Sequence, residues 1–344
     1  MNFNKRTILK SGFLFLLKLA VFLGIALVLL TGASQVLKPK DNTPASGIKE
    51  PETRAVYTER KNSLDVIAIG NSDIYAAYTP MQLWKDYGLA SYVCGEPGQR
   101  VYEAYYLLKS ILEYQSPKVV IFETDEIFQN GTPAKEREKV IFAGLADQFP
   151  VFQYHNRWKI LKPEDFTGKV KYTFDNFWKG FRYTDRVDPY LGKRYMRKRK
   201  KKTKIDGIPR FYLDKIVSMC KEKGIKLLFV EIPSANSWNY KRHNSVAEYA
   251  EQNEIPFLDL NKPGKEYKVD WVSDTRDKGD HMNYNGARKV TAYLGKYLKE
   301  NYFLPDRRDD SAYSGWNADL RKYEKAIQSV DMYNMVNGNN NKGI

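Results

Sequence analysis

Two stretches carry side chains whose types and spacing could do chemistry together. Ser72 stands in IAIGNSDIY (67–75), directly after an apolar run. His281 stands in DTRDKGDHMNYNGARKVT (274–291), with Asp274, Asp277 and Asp280 crowded before it. A serine hydroxyl is a weak nucleophile until a base takes its proton. Only His155, His243 and His281 are available as an imidazole base, and His281 alone is surrounded by acids. One carboxylate behind an imidazole fixes its tautomer and stabilises the imidazolium, and Asp274, Asp277 or Asp280 could fill that place. Gly-Asn-Ser-Asp by itself reads as a capped turn, and a lone Asp-His pair as a structural contact. The joint pattern points to acyl transfer through a serine.

The elements between must bring the two stretches together. Leu64–Ile69 (LDVIAI) and Lys118–Phe122 (KVVIF) are short, β-branched-rich runs, and Lys226–Val230 (KLLFV) is a third. Each reads as a buried strand. Ser91–Val93 and Pro256–Leu260 are shorter strand candidates. Helices are expected from Thr79 (with Pro80 in its first turn), over Val101–Tyr114, Phe211–Lys223, Ser237–Gln252 and Asn285–Asn301. Strands alternating with helices predict an open, mostly parallel sheet covered on both faces. In such sheets active residues gather at the carboxyl ends of the strands. Ser72 follows the first strand there, on a turn that Gly70 permits, and nearby backbone N–H groups at a helix start can face a developing oxyanion.

Residues 126–205 break the βα rhythm and read as an insertion, with helices expected around Lys135–Ala146 and Arg157–Lys162. Residues 304–344 read as a C-terminal tail with one helix (Trp316–Val330) and a disordered end, NGNNNKGI.

Composition narrows the classes. Two cysteines exclude a disulfide scaffold and a cysteine-rich metal site, and three histidines leave little for a multi-histidine centre. No cofactor and no metal are expected, although DTRDKGD has the acidic character of a hard-cation site. Cys94 reads as a small buried residue, with a Cys94–Cys220 disulfide as the alternative. Lys+Arg 56 against Asp+Glu 41 gives +15, and KRYMRKRKKKTK (193–204) alone holds nine of those basic residues. That run is either a solvated loop or a site for an anion.

The N-terminus decides which anion. Gly12–Thr31 is a 20-residue apolar run with Lys18 its only charge, long enough to cross a bilayer. Lys5, Arg6 and Lys10 precede it and keep that end cytoplasmic by the positive-inside rule. We read it as an uncleaved anchor of residues 1–33 rather than a signal peptide, followed by a polar stalk (34–62) and an extracellular domain (63–303). Outside a membrane the anionic partner is a lipid headgroup, a cell-wall or surface polymer, or an acidic polysaccharide. Nucleic acid is not expected.

Through these motifs the sequence resembles the SGNH/GDSL hydrolase superfamily. More closely it resembles membrane-anchored bacterial members similar to DltD, the D-alanyl-lipoteichoic acid biosynthesis protein, and to extracellular polysaccharide O-acetylation proteins. IGNSDIY (69–75), CGEPGQ (94–99), PKVVIFETDEIF (117–128) and DKGDHMNYNGARKVT (277–291) carry the likeness. It implies a three-layer α/β/α, flavodoxin-like fold. It implies Ser72 as nucleophile, His281 as base, and the N–H groups of Ser72 and Gly98 as oxyanion donors. The acid of that superfamily lies three residues before the histidine, where this chain has Lys278. Asp277 is then the first choice and Asp280 the second, because an adjacent residue points poorly at its neighbour's ring. The third block here reads FETDEIF and lacks the superfamily's Asn. The resemblance also implies a membrane-bound O-acyltransferase as partner. The expected function is acyl transfer to a cell-wall or surface polymer, with a hydrolytic esterase and a non-catalytic polymer-binding protein as alternatives.

Other residues are candidates for the cleft. Asn71 belongs to the nucleophile turn. Glu123 ends a strand beside it, as a supporting polar group or a carboxylate fixing the insertion. Pro233-Ser234 and Asn236 follow the KLLFVEI strand. His155, Asn156 and Arg157 could reach substrate from the insertion or simply pack there. His243 reads as a helix-face residue.

Overall fold

The computed structural model describes residues 5–128, 131–205, 207–262 and 267–340. The chain divides into two units, one of Met1–Lys49 and Glu138–Thr173, the other of Glu50–Arg137 and Phe174–Ile344.

The first unit begins with helix α1 (Lys5–Leu37). Its stretch Lys10–Leu37 is long and apolar enough to cross a membrane, and its apolar part is exposed while Ser34 near its end is buried. Polar contacts tie the chain just beyond it to residues 151–173. Arg157 is buried, donating to the Leu37 carbonyl at 2.6 Å and to Asp165 Oδ1 at 2.8 Å. Asp41 accepts from the Thr173 N–H at 2.8 Å. The helix expected at Arg157–Lys162 is a 3-10 turn, His155–Ile160, with Pro163 ending the run that precedes it.

In the second unit a five-stranded parallel sheet is built from β1 (Val66–Gly70), β2 (Ser91–Gly95), β3 (Val119–Glu123), β4 (Lys226–Glu231) and β5 (Phe257–Asp259). Its order is β2-β1-β3-β4-β5. The connections reverse direction between β1 and β3, so the crevice lies at their carboxyl ends. Helices α2 (Ser72–Ala77), α3 (Pro80–Tyr87), α4 (Val101–Ile111), α5 (Pro133–Gln148), α6 (Gly207–Glu222), α7 (Tyr240–Gln252), α8 (Tyr284–Asn301) and α9 (Ser314–Asn340) complete the labelled elements. The expected flavodoxin-like layering is present.

Strand alternation assigns the two faces. Val66, Ala68, Val119, Ile121, Leu228 and Val230 share a core with Val290, Leu294 and Leu298 of α8. Each buried Val, Leu or Ile among them contributes about 1.5–3 kcal/mol. On the other face Phe122 meets Phe229, and Phe229 stacks on Tyr249 of α7.

Residues 50–62, read from sequence as the end of a polar stalk, pack onto this unit. Ala55 and Val56 are buried, Thr53 Oγ1 donates to the Gly95 carbonyl at 2.7 Å, and Tyr92 donates to the Glu52 carbonyl at 2.7 Å. Their few apolar residues have no period, so the sequence hid the contact. The C-terminal helix reaches Asn340, further than expected, and 341–344 of the expected disordered end lie outside the described residues. Cys94 and Cys220 are both buried and free.

Candidate active site

The turn after β1 is built for a close approach. A Cβ on Gly70 would lie 2.4 Å from the Glu123 Cβ, so only glycine lets β1 end against β3 there. Asn71 then caps α2, its Oδ1 accepting from the Asp73 N–H at 2.8 Å. Ser72 becomes the first residue of α2, half-buried at the carboxyl edge of the sheet.

The second loop precedes α8, which Asn283 caps. Between Asp277 and His281 the backbone turns through Lys278 (φ 60°) and Gly279 (φ 90°). This double left-handed turn brings Asp277 back over His281. Its Oδ1 accepts from the His281 N–H at 2.7 Å, and its Oδ2 lies 2.6 Å from Nδ1. On the other side of the ring, Nε2 lies 2.7 Å from Ser72 Oγ. The structure thus brings Ser72, His281 and Asp277 into one hydrogen-bonded line. Asp280 stands further off, 3.6 Å from Nδ1. Asp274 is turned away, holding Lys289 Nζ at 2.6 Å.

Electrostatics follow the geometry. Burial alone would depress the His281 pKa; the Asp277 hydrogen bond and the charges of Asp73, Asp277 and Asp280 outweigh it and raise it above 6.5. Burial works against ionised Asp277, but hydrogen bonds from the His281 ring and backbone hold its carboxyl below the usual range. The pair therefore favours a carboxylate behind a basic imidazole. Asp277, Asp280 and His281 also offer three ligand atoms within 4.8 Å of one another, but two of these side chains belong to the hydrogen-bonded line.

Beneath the serine lies a layer of buried acids that the sequence did not reveal as a group. Asp73 Oδ1 is 3.9 Å from His281 Nε2. Glu123 is fully buried, accepting from the Asp125 N–H at 2.8 Å. Asn71 donates to Asp125 Oδ2 at 3.3 Å, and Arg242 donates to Asp125 Oδ1 at 2.6 Å. Thr124 donates to Glu231 at 2.5 Å. Burial first, and then the charges of neighbouring carboxylates, Asp125 for all three and Glu123 for Asp73 and Glu231, push Asp73, Glu123 and Glu231 well above the ordinary carboxylate range. The signal available in sequence was a glutamate closing β3 (Glu123) and β4 (Glu231) and an aspartate three residues past β1 (Asp73).

Gly98 sits in the loop after β2 at φ 60°. Ser234 Oγ lies 3.5 Å from Asp280, and Asn236 donates to the Lys278 carbonyl at 3.2 Å, so the loop after β4 braces the histidine loop. His155 belongs to the first unit, exposed, with Nδ1 3.0 Å from the Phe152 carbonyl. His243 lies on α7 and stacks on Phe257. The basic run 193–204 has no regular structure but is pinned along α7, where Asn244 donates to the Arg199 carbonyl at 2.7 Å and Thr203 N–H to the Lys241 carbonyl at 3.2 Å.

No protein-family model matches the chain, and no curated protein matches it in sequence. Among solved structures, a GDSL-like lipase from Bacteroides thetaiotaomicron is similar over 75% of this chain and 94% of its own, at 13% identity and a TM-score of 0.35. A psychrotrophic esterase from Pseudoalteromonas sp. is similar over 69% and 97%, at 11% identity and a TM-score of 0.36. A lipase/acylhydrolase from Enterococcus faecalis is similar over 70% and 99%, at 13% identity and a TM-score of 0.28.

Proposed function

We propose that this chain is a membrane-anchored serine enzyme that forms an acyl-enzyme and moves acetyl or D-alanyl groups on a cell-wall or surface polymer. The observation that carries the reading is the line from Ser72 Oγ through His281 to Asp277, at 2.7 and 2.6 Å. Nucleophile and base within hydrogen-bond reach, with a third group orienting the base, is the arrangement that serine chemistry requires.

The steps follow from that line. Ser72 Oγ attacks the acyl carbonyl as its proton passes to His281 Nε2. Asp277 stabilises the imidazolium through Nδ1. The N–H groups of Ser72 and Gly98 face the oxyanion. Collapse of the tetrahedral adduct expels the donor's alcohol or thiol, which leaves with the proton from His281. An acceptor hydroxyl then enters, gives its proton to His281 and takes the acyl group, and Ser72 Oγ leaves with the proton returned from His281. With a polymer hydroxyl this is transfer; with water it is hydrolysis.

The apolar helix α1 supports an anchor with the catalytic unit outside the cell, and the positive charge before it supports the orientation. A tether raises the local concentration of enzyme at a membrane-bound acyl donor, which suits a membrane-bound O-acyltransferase as partner and favours transfer over hydrolysis.

The test uses the full chain in detergent with p-nitrophenyl acetate and an acceptor polymer, wild type beside Ser72→Ala. Acetyl ester on the polymer, formed only with Ser72 present, is expected. Free acetate alone would assign an esterase. No product above Ser72→Ala would contradict the enzyme reading.

A further inference from the structure

The loop that carries His281 rests against Tyr190, which lines a cavity of about 550 Å³. A Cβ on Gly279 would lie 2.9 Å from the Tyr190 ring, so the histidine loop rests directly on that aromatic. Tyr190, Tyr195 and Trp271 meet edge to face, with centroids 5.6 Å apart for Tyr190–Trp271 and 5.5 Å for Tyr195–Trp271. The box is rigid. Tyr190 N–H donates to the Trp271 carbonyl at 2.9 Å, and the Tyr195 hydroxyl donates to Asn261 Oδ1 at 2.9 Å. The same Asn261 oxygen accepts from the Ser234 N–H at 2.9 Å, in the loop that braces Asp280. Lys193, Arg194 and Lys198 line the cavity from the basic run, and no carboxylate lines it among the described residues.

Aromatic walls fit the apolar C–H face of a pyranose ring, whose hydroxyls then point outward. The cations fit an anion on that ring or next to it. We propose that this cavity is a subsite for an acidic glycan and holds the acceptor beside the histidine loop. The acceptor role rests on the enzyme reading above; the binding does not. The aromatic box selects ring-bearing polymers over a poly(glycerol phosphate), which has charge and no ring.

The test is calorimetric, on the full chain in neutral detergent, with a galacturonic acid hexamer, maltohexaose and a glycerol-phosphate oligomer as probes. The uronate is expected to bind most tightly. Trp271→Ala should weaken it about tenfold or more, the scale on which a lost aromatic stack weakens nucleic-acid bases. Lys193→Gln with Arg194→Gln, both exposed, should weaken it and flatten its salt dependence. Arg199→Gln with Lys200→Gln, in the same basic run but outside the cavity, should leave it unchanged. Equal loss from both basic pairs, binding indifferent to Trp271→Ala, or equal affinity for the glycerol-phosphate oligomer would overturn the proposal. Acyl-enzyme yield is measured on the same samples. Lost glycan binding with intact acylation overturns the subsite alone, and lost acylation with intact binding overturns the enzyme reading alone.

A different observation concerns the first unit. Its segment 138–173 is tied to the end of α1, with Val151 N–H donating to Ser34 Oγ at 3.2 Å and Arg157 to the Leu37 carbonyl at 2.6 Å. Yet it turns Ile141, Phe142, Leu145, Trp158, Ile160 and Phe166 outward, each 42–67% exposed. Large apolar groups concentrated in this way mark an interaction surface. Continuity with a membrane-spanning helix names the occupant. We infer that residues 138–173 form a platform seated in the headgroup layer of the membrane that α1 crosses, where Trp is favoured and Lys159 and Lys162 reach anionic lipid.

Nitroxide labels on Phe142→Cys and Phe166→Cys test this in the full chain, in phospholipid nanodiscs; the native Cys94 and Cys220 are buried. Oxygen should reach both labels better than a water-soluble nickel chelate does. Collision ratios like those of free label in buffer would overturn the inference, as would shielding from both reagents, which would mean a protein partner.

Discussion

Asp277→Asn separates two carboxylates that both lie near His281. In the wild type Asp277 holds the His281 backbone N–H with one oxygen and Nδ1 with the other, at 2.7 and 2.6 Å. In the variant the amide oxygen keeps the backbone N–H and turns its NH2 toward Nδ1. That favours the tautomer with the proton on Nε2, which cannot accept the Ser72 proton. The lost charge-assisted hydrogen bond is worth about 1.5–3 kcal/mol, and the inverted tautomer adds to it. We expect kcat/KM on p-nitrophenyl acetate to fall about 10²–10⁴-fold. Asp280 stands 3.6 Å from Nδ1 and is partly exposed, so Asp280→Asn should cost less than about fivefold. The pH profile gives an independent check. Imidazolium cannot take the serine proton, so kcat/KM rises with pH through the His281 pKa. Its inflection should lie above 6.5 in the wild type, because Asp277 and its neighbours outweigh burial. In Asp277→Asn burial loses its main opponent, and the inflection should move to lower pH. Equal damage from Asp280→Asn, or an Asp277→Asn enzyme within fivefold of wild type, would refute the reasoning.

Three further outcomes are expected. Gly70→Ala should lower the thermal midpoint and the acylation rate together, because its Cβ would meet Glu123 Cβ at 2.4 Å and overpacking of this kind costs about 1–3 kcal/mol; an unchanged midpoint would contradict it. Lys179 is buried between Glu59 and Asp319 at 2.7 and 2.6 Å, so Lys179→Met should cost about 3–5 kcal/mol in urea unfolding by stranding two buried acids. Restoring neutrality with Glu59→Gln and Asp319→Asn in that background should recover part of the loss. Asp73 is a buried carboxyl 3.9 Å from Nε2 that helps raise the His281 pKa. Asp73→Asn should therefore shift the acid limb of the pH profile to lower pH while leaving acylation of Ser72 measurable by mass.

The sheet was legible because its central strands are buried on both faces and read as unbroken β-branched and aromatic runs. Val66–Gly70, Val119–Glu123 and Lys226–Glu231 fall where those runs do. Ser72 and His281 were legible as a pair because a glycine turn after the first strand and an acid-rich histidine loop before the helix that follows the last strand occur together; each alone reads as a local turn or contact. The four-residue offset of Asp277 became intelligible only with backbone angles, since two left-handed residues are needed to fold its carboxylate back. The acid layer under Ser72 was invisible because single carboxylates after separate strands look like ordinary strand ends. Of residues 138–173 the sequence showed a break in the βα rhythm and a helix around Lys135–Ala146, which is present within Pro133–Gln148; the ties of the rest were hidden, since side chain–backbone hydrogen bonds such as those of Arg157 and Asp41 leave no periodic trace. The packing of 50–62 was hidden for the same reason.

The proposed function requires Ser72 to be a nucleophile activated by His281. The most direct measurement treats the full chain in detergent with a fluorophosphonate and maps the adduct by peptide mass. A single adduct on Ser72 is expected, absent from Ser72→Ala and strongly slowed in His281→Ala and below the His281 pKa. Labelling elsewhere, or labelling of Ser72 at the same rate with and without His281, would contradict the account.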